Sequence, residues 1–506
     1  MLPVLKAAKV SRKQWGRSFC CALVVGAAPL AGQGAAPWVD DQDPTVAQIE
    51  HLITRGVVRD PSPMIRPWAR SALLEALRTA TPRTQRDSAM VIRIQLEWEG
   101  EVTEKWAMEA RGGVAQWSSG RWDLLQPGGP SGEGVWGRLD GALATGKLSL
   151  VGSVEADQRL QDDPDWPGRT IAADKAVGFR VPAAYLDVRT RLMALTVGSM
   201  PRHWGVVGGP GLALNARAYP RPGAGLRVGG RKVEWEGVVT PLPPQERLDG
   251  DLAERTFAAH RLRWSPNSTI DITVWESMVM ARPGLSTGEV LERTLTVMAF
   301  ASQFGRRSDN NTILGGQIAW RPRPGLHLEG QFAGDDIRLG GTNESAGEMD
   351  RPDRWAGVLA LRGSGLASTS WGVRYERVTA QAFRTSEPAE NFVADDIGLV
   401  VTVPDYDRIT ATVGVPVGDW GLVHPTLQWQ RQGEGRLDQP VDFSPTGPSF
   451  LIGQVTRSVR ASAVVEASWR QARLTADIGA TRRIGGGWST SAQMRWSIGG
   501  RWLGPL

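Results

Sequence analysis

Past residue 36 the chain has no cysteine; the only two, Cys20 and Cys21, lie before it. A body without thiols excludes a disulfide scaffold, a cysteine-ligated zinc site and a cysteine nucleophile. Tyrosine is scarce, at 4 of 506 residues, and histidine numbers 5. No apolar run past residue 36 approaches the ~18 residues of a membrane helix. An excess of charge is missing too. Lys6, Lys9, Arg12, Lys13 and Arg17 meet no acid in the first 36 residues, and setting these five aside leaves 53 of the 58 Lys+Arg against 53 Asp+Glu. A near-neutral body removes the main support for a nucleic-acid partner.

The first 36 residues are ordered as a secretory signal peptide: a basic stretch over 6–17, a short apolar run over 19–31, and small residues over 32–36. The cysteines precede the apolar run, which argues against a lipoprotein. For an exported chain without a membrane helix two architectures stay open. One is a soluble secreted β protein. The other is an outer-membrane barrel, whose lipid-facing and lumen-facing residues alternate and so escape a hydropathy scan.

Residues 37–88 read as a small periplasmic helical segment. Thr45 and Gln48 have capping-box spacing, Val46, Ile49, Leu52 and Ile53 share a helical face, and Gly56 suits a C-cap. After a proline-rich link, Trp68, Ala72, Leu73, Ala76 and Leu77 suggest a second amphipathic helix. Two short helices bury little alone and are expected to dock on a larger domain. From about residue 89 the period becomes two. Leu148, Leu150, Val154 and Ala156 alternate with polar residues. So do Val233, Trp235 and Val239, then Leu326, Leu328 and Phe332, then Ala492, Met494, Trp496 and Ile498. Pro, Gly and Asn turns separate such segments.

This pattern fills 89–506. The fold class read from it is all-β, a large antiparallel transmembrane β-barrel of 16–18 strands, since a soluble two-sheet core rarely needs so many strands in one run. Closure removes the edges that a long open sheet would expose. Among 22 tryptophans, Trp98, Trp106, Trp117, Trp122, Trp136, Trp264, Trp355, Trp371, Trp420 and Trp496 recur near strand ends. They suit an aromatic girdle at the membrane interfaces, or platforms on which sugars stack. Sequence does not sort the two. The C-terminus, Arg501-Trp502-Leu503-Gly504-Pro505-Leu506, lacks the final aromatic residue of many barrels. Either Trp502 substitutes for it, or the last strand ends near Trp496–Ile498.

Residues 198–219 contain Gly198, Arg202, Trp204 and Gly205, a glycine-rich stretch, then Leu212, Asn215, Ala216 and Arg217. This order resembles the Gly-x-x-x-Arg-x-Trp-Gly and Leu-x-x-Asn-Ala-Arg motifs of the Wzi-type capsule assembly proteins. Leu52–Pro67 is similar to that family's N-terminal helical element. Asp335-Asp336 and the Tyr375-Glu376 pair follow in family order. His203 and Val206 depart from the pattern. The resemblance implies an 18-stranded outer-membrane barrel with a small periplasmic helical bundle. It implies a lectin that holds capsular or exopolysaccharide at the cell surface and is not an enzyme. The expected partners are that polysaccharide, outer-membrane lipid and the barrel-insertion machinery; no cofactor is expected.

In that reading Arg202 and Arg217 hold uronate carboxylates, Asn215 bonds vicinal hydroxyls, and Trp204 stacks. The structural alternative is a network tying a plug loop to the wall, with Asp335, Asp336 and Glu376 as acidic partners. No metal site is expected: His51, His203, His260, His327 and His424 show no ligand spacing such as H-E-x-x-H. Ser199 near His203 is the only hint of a hydrolase, and a Ser/His pair this close in sequence is commonly coincidental. A porin or substrate-specific channel is the rival function.

Overall fold

A computed structural model describes residues 37–40, 42–103, 106–121, 124–170, 176–216, 219–295, 310–334, 354–439 and 450–504. The signal-peptide reading over 1–36, and Trp122, lie outside them. Eighteen antiparallel strands form a closed barrel, at the upper end of the expected 16–18. Strand Trp106–Trp117 pairs along its length with the last strand, Trp488–Gly504, and shuts the cylinder. That last strand includes Trp502, so of the two expectations for the C-terminus the longer strand forms. No helix among the described residues is long and apolar enough to cross a membrane.

Alternation sorts the wall into two faces. Val135 and Leu139 are about half exposed, while Trp136 and Arg138 between and beside them are buried. Leu359 and Leu361 point out, and Ala360 and Arg362 point in. The same parity runs around the cylinder, giving an apolar outer surface suited to lipid and a polar lumen. Strands of 12–14 residues exceed the ~9–11 that a tilted crossing needs.

The two rims differ. At one end the turns are tight: 145–148, 189–193, 229–233, 323–326, 364–370, 417–421 and 469–472. At the other, long connections follow Trp117, Asp157, Ser199, Arg282, Gly334, Val378 and Gln432. In barrels of this type short turns face the periplasm and long loops face outward.

The helical element seats on the short-turn rim. Helix α1 (Pro44–Thr54) starts with Pro44 in the first turn, where its missing N–H is no loss. The expected Thr45/Gln48 capping box does not form. Asp43 caps instead, its side chain accepting the Thr45 N–H at 2.9 Å, while the Gln48 amide reaches across to donate to the Trp420 carbonyl. Gly56 does end the helix, at φ +69°. A side chain there would collide with the turn at Pro324–Gly325, so glycine is also what allows the close seating. Helix α2 (Arg70–Arg78) buries Leu73, Leu74 and Leu77. The buried Arg55–Asp87 pair then joins α1 to a third helix, and Arg55 also donates to the Thr369 carbonyl.

That third helix, α3 (Gln85–Thr103), corrects the domain boundary: the barrel begins at Trp106, not at 89. Ile92, Ile94, Leu96 and Trp98 alternate with Arg93, Gln95 and Glu97 and so imitate a strand. Packing chose the helical spacing instead. Met90, Val91, Ile94 and Trp98 are buried against α1 and α2, and Ile92 and Leu96 are left exposed. Trp98 therefore belongs to this core and not to a girdle. Trp264, Trp420 and Trp496 are exposed on the barrel, whereas Trp117 and Trp136 are buried inside it.

Candidate functional site

Strands Met193–Ser199 and Pro222–Gly229 are among the shortest in the wall, and the connection between them folds into the lumen. His203–Trp204 there pairs with Ile65–Arg66 of the helical element. The lumen-facing Gln331 holds the connection at two points: its amide donates to the Trp204 carbonyl at 2.8 Å and accepts the Leu212 N–H at 3.1 Å. Ser277 on the next wall donates to the Ala213 carbonyl. Val206, Leu212 and Ala213 are fully buried.

A second connection, 379–405, fills the rest of that side. Phe383 and Phe392 pack edge-on, and Phe257 of the wall meets Phe392 at 6.0 Å. One wall arginine, Arg255, donates to the carbonyls of Ala389, Asn391 and Val393. One side chain thereby ties three backbone carbonyls of the connection to the wall.

The residues singled out from sequence fall mostly into this plug. Trp204 is 1% exposed, with the Arg261 guanidinium 5.1 Å from its ring centre, so no face of it is open to a sugar. Asn215 donates to the Val400 carbonyl at 2.8 Å and thus ties the two plug connections together. Glu376 is clamped by Arg374, Arg408 and the Tyr406 hydroxyl at 2.7–3.1 Å. Its partners are these neighbours, not Arg202 or Asn215 as the sequence suggested. Arg374 also donates to the Val207 carbonyl and so links that clamp to the plug. Arg202 stands at the plug's edge beside Glu236; burial lowers its pKa and Glu236 opposes that. Arg217, Asp335 and Asp336 lie outside the described residues. Ser199 Oγ is buried without a hydrogen-bond partner, and His203 points to the Val206 carbonyl, so the two do not form a catalytic pair. Among the described residues no three His, Cys, Asp or Glu side chains gather as a metal site.

The other side of the lumen is open. A cavity of about 900 Å³ runs from Arg121, Leu124 and Asp165 near the long-loop end to Ala107, Arg473 and Arg501 near the short-turn end. Of the helical element, Trp38, Asp40, Asp43, Glu50, Arg66 and Arg70 stand along it. Twelve arginines and eight carboxylates line it. Three further carboxylates, Glu155, Asp157 and Glu376, are buried behind lining arginines.

The ion pairs hold the guanidiniums in fixed orientations. Arg180 and Arg495 converge on Glu155 at 2.9 and 3.0 Å. Arg111, Arg473 and Arg501 converge on Glu109, and Arg473 also meets Asp43 at 3.1 Å. Arg138 bridges Asp40 and Asp140, both at 2.8 Å. Burial opposes ionisation of Asp40 and Asp43; Arg138 beside the first, and Arg473 and Arg111 beside the second, hold both carboxyls below the usual range. These arginines were missed from sequence. The signal was present, because each wall arginine of the set occupies the strand parity opposite to the apolar outer residues.

No protein-family model matches the sequence, and no curated protein matches it either. Among solved structures the barrel is similar to Wzi of Escherichia coli, described as an outer-membrane, carbohydrate-binding β-barrel involved in group 1 capsule assembly. The TM-score is 0.63 at 13% identity, over 92% of this chain and 99% of that one. Acinetobacter baumannii OccAB4 follows at a TM-score of 0.45 and 11% identity, over 78% of this chain and 98% of that one. Pseudomonas aeruginosa OprD follows at 0.42 and 10%, over 79% and 96%. At such identities the likeness to Wzi is one of fold: the protein is a closed 18-stranded barrel of the outer-membrane type.

Proposed function

We propose that this outer-membrane protein binds and anchors capsular or exopolysaccharide at the cell surface, without catalysis. The observation that carries the reading is the lumen cavity, about 900 Å³ of space walled by oriented guanidiniums and carboxylates. Paired Arg and Asp/Glu side chains offer the donors and acceptors that sugar hydroxyls require. The structural likeness to a barrel described as carbohydrate-binding supports the same reading. Individual contacts are weak, but a polymer engages many barrels at once, and that multivalency makes the attachment lasting. Deleting the gene should release polymer into the medium while synthesis continues. Polymer that stays cell-bound in the deletion strain would end the proposal.

A substrate-specific channel is the second reading, and the length of the cavity along the lumen favours it. Conductance in a planar bilayer separates the two. Stable, ion-selective steps from the intact protein would support a channel, and negligible current that rises when 37–103 is deleted would support a stoppered binding barrel.

A further inference from the structure

We infer that the lumen cavity recognises a carboxylated glycan, and that it does so through guanidiniums and not through aromatic stacking. The inference rests on the polysaccharide-binding reading above and names the feature of the polymer that is read.

The aromatic residues that line the cavity are Trp38, Trp68, Trp136, Tyr185 and Tyr219. Each is either buried or has a guanidinium against its ring. Arg495 lies 3.5 Å from the Trp136 ring centre and Arg66 lies 3.8 Å from that of Trp68. Trp38 carries Arg189 at 4.4 Å and Arg227 at 5.3 Å. Tyr185 is buried, its hydroxyl accepting the Trp38 N–H, and Tyr219 donates to Asp163 with Arg180 at 6.0 Å from its ring. A pyranose entering the cavity meets guanidinium edges in place of open indole faces.

Near the short-turn end the wall already shows what those edges take. Three guanidiniums, of Arg111, Arg473 and Arg501, gather on the single carboxylate of Glu109. Each guanidinium carries one positive charge, and the carboxylates of Glu109 and Asp43 that they meet carry two negative ones, so the group keeps a positive excess. The neighbouring Arg138 is held by Asp40 and Asp140. Donors fixed beforehand by buried carboxylates lose little freedom when they bind a ligand carboxylate, and guanidinium–carboxylate contacts are among the stronger hydrogen bonds. A volume near 900 Å³ is at the large end of ligand sites and holds a short stretch of a chain, not a single sugar.

The test uses the full barrel in detergent, with short oligogalacturonate as probe and its carboxyl-reduced, neutral counterpart as control, by titration calorimetry. The expected result is binding of the acidic oligomer that weakens with added salt, and binding of the neutral one at least ~10-fold weaker. Two variants localise the site. The double variant Arg111→Gln/Arg501→Gln leaves Arg473 on Glu109 and should lose roughly 10-fold in affinity for the acidic probe. Ala142→Trp keeps every arginine and fills the cavity beside Ala107, so it should abolish binding. Heat-modifiable migration on a gel reports whether each variant is folded. Equal affinity for the two oligomers, or undiminished binding by folded Ala142→Trp, would overturn the inference. Should a variant not fold, the comparison of the two oligomers on the unaltered barrel decides alone. If gene deletion releases polymer but the barrel shows no preference for carboxylates, the anchoring role stands and only this inference falls.

Discussion

The two sides of the lumen are built on the same kind of wall and filled in opposite ways. Facing the strands between 252 and 378, two inward connections pack Phe383, Phe392, Leu212 and Val206 into a dry core. Facing strands 106–189 and 456–504, arginines and carboxylates bond to one another along the wall and leave a cavity open. The difference teaches where specificity and rigidity reside. An apolar plug must be close-packed, because each void forfeits contacts. A charged wall is held by its lateral ion pairs and keeps its place with the space in front of it open.

That contrast can be broken most forcefully where the two sides meet. Glu376→Ala strips the shared carboxylate from half-buried Arg374 and buried Arg408 and leaves both guanidiniums without their clamp. A loss of about 3–5 kcal/mol is expected, read as a large drop in the temperature of the heat-modifiable gel transition. Phe392→Ala, wholly within the plug, should cost about 3–4 kcal/mol by the same measurement, as large apolar truncations in packed cores do. An equally drastic truncation facing the cavity, Gln428→Ala, should stay within about 0.5 kcal/mol. If the Phe392 and Gln428 variants melt alike, the distinction between a packed and an open side is wrong.

Acid sharpens the comparison at the rim. Burial, with Arg55 nearby, lowers the pKa of His51 to about 4, and its Nδ1 lies 2.8 Å from Ser370 Oγ on the wall. The unfolded chain binds that proton near pH 6.5. The stability contributed by the neutral ring is therefore complete above pH ~6.5 and is lost as pH falls toward 4, up to ~3 kcal/mol. Protease access to α1–α3 should rise over that window, and His51→Gln should flatten the rise. Among the variants expected to destabilise, Asn215→Ala has the smallest effect. It removes one buried hydrogen bond between the plug connections, about 1–2 kcal/mol, and should loosen the plug without opening the wall.

Legibility in the sequence tracked locality. Strands such as Leu148–Asp157, Leu326–Gly334 and Trp488–Gly504 were readable because side chains alternate between two solvents, whichever strand lies alongside. The segment around Ile92–Trp98 defeated the same test. Its alternation is genuine, but the faces of α1 and α2 reward helical spacing, and only the folded partner decides between the two. The motif around Arg202, Trp204 and Asn215 was found, yet its chemistry was not legible. Whether a tryptophan stacks on a sugar or is sealed under Arg261 depends on a strand more than fifty residues away.

By itself, the order of residues determined a near-neutral body without thiols, its two-faced strands, the turns between them, and hence a cylinder that meets lipid outside and water within. These follow from short-range periodicity and from the solvents on either side. Tertiary structure alone decided that α3 is a helix, that one side of the lumen is stoppered, and that the arginines of distant strands converge on Glu109. Closure brings together residues nearly four hundred positions apart, Glu109 and Arg501 among them, and no local pattern encodes which charges will face each other across that seam.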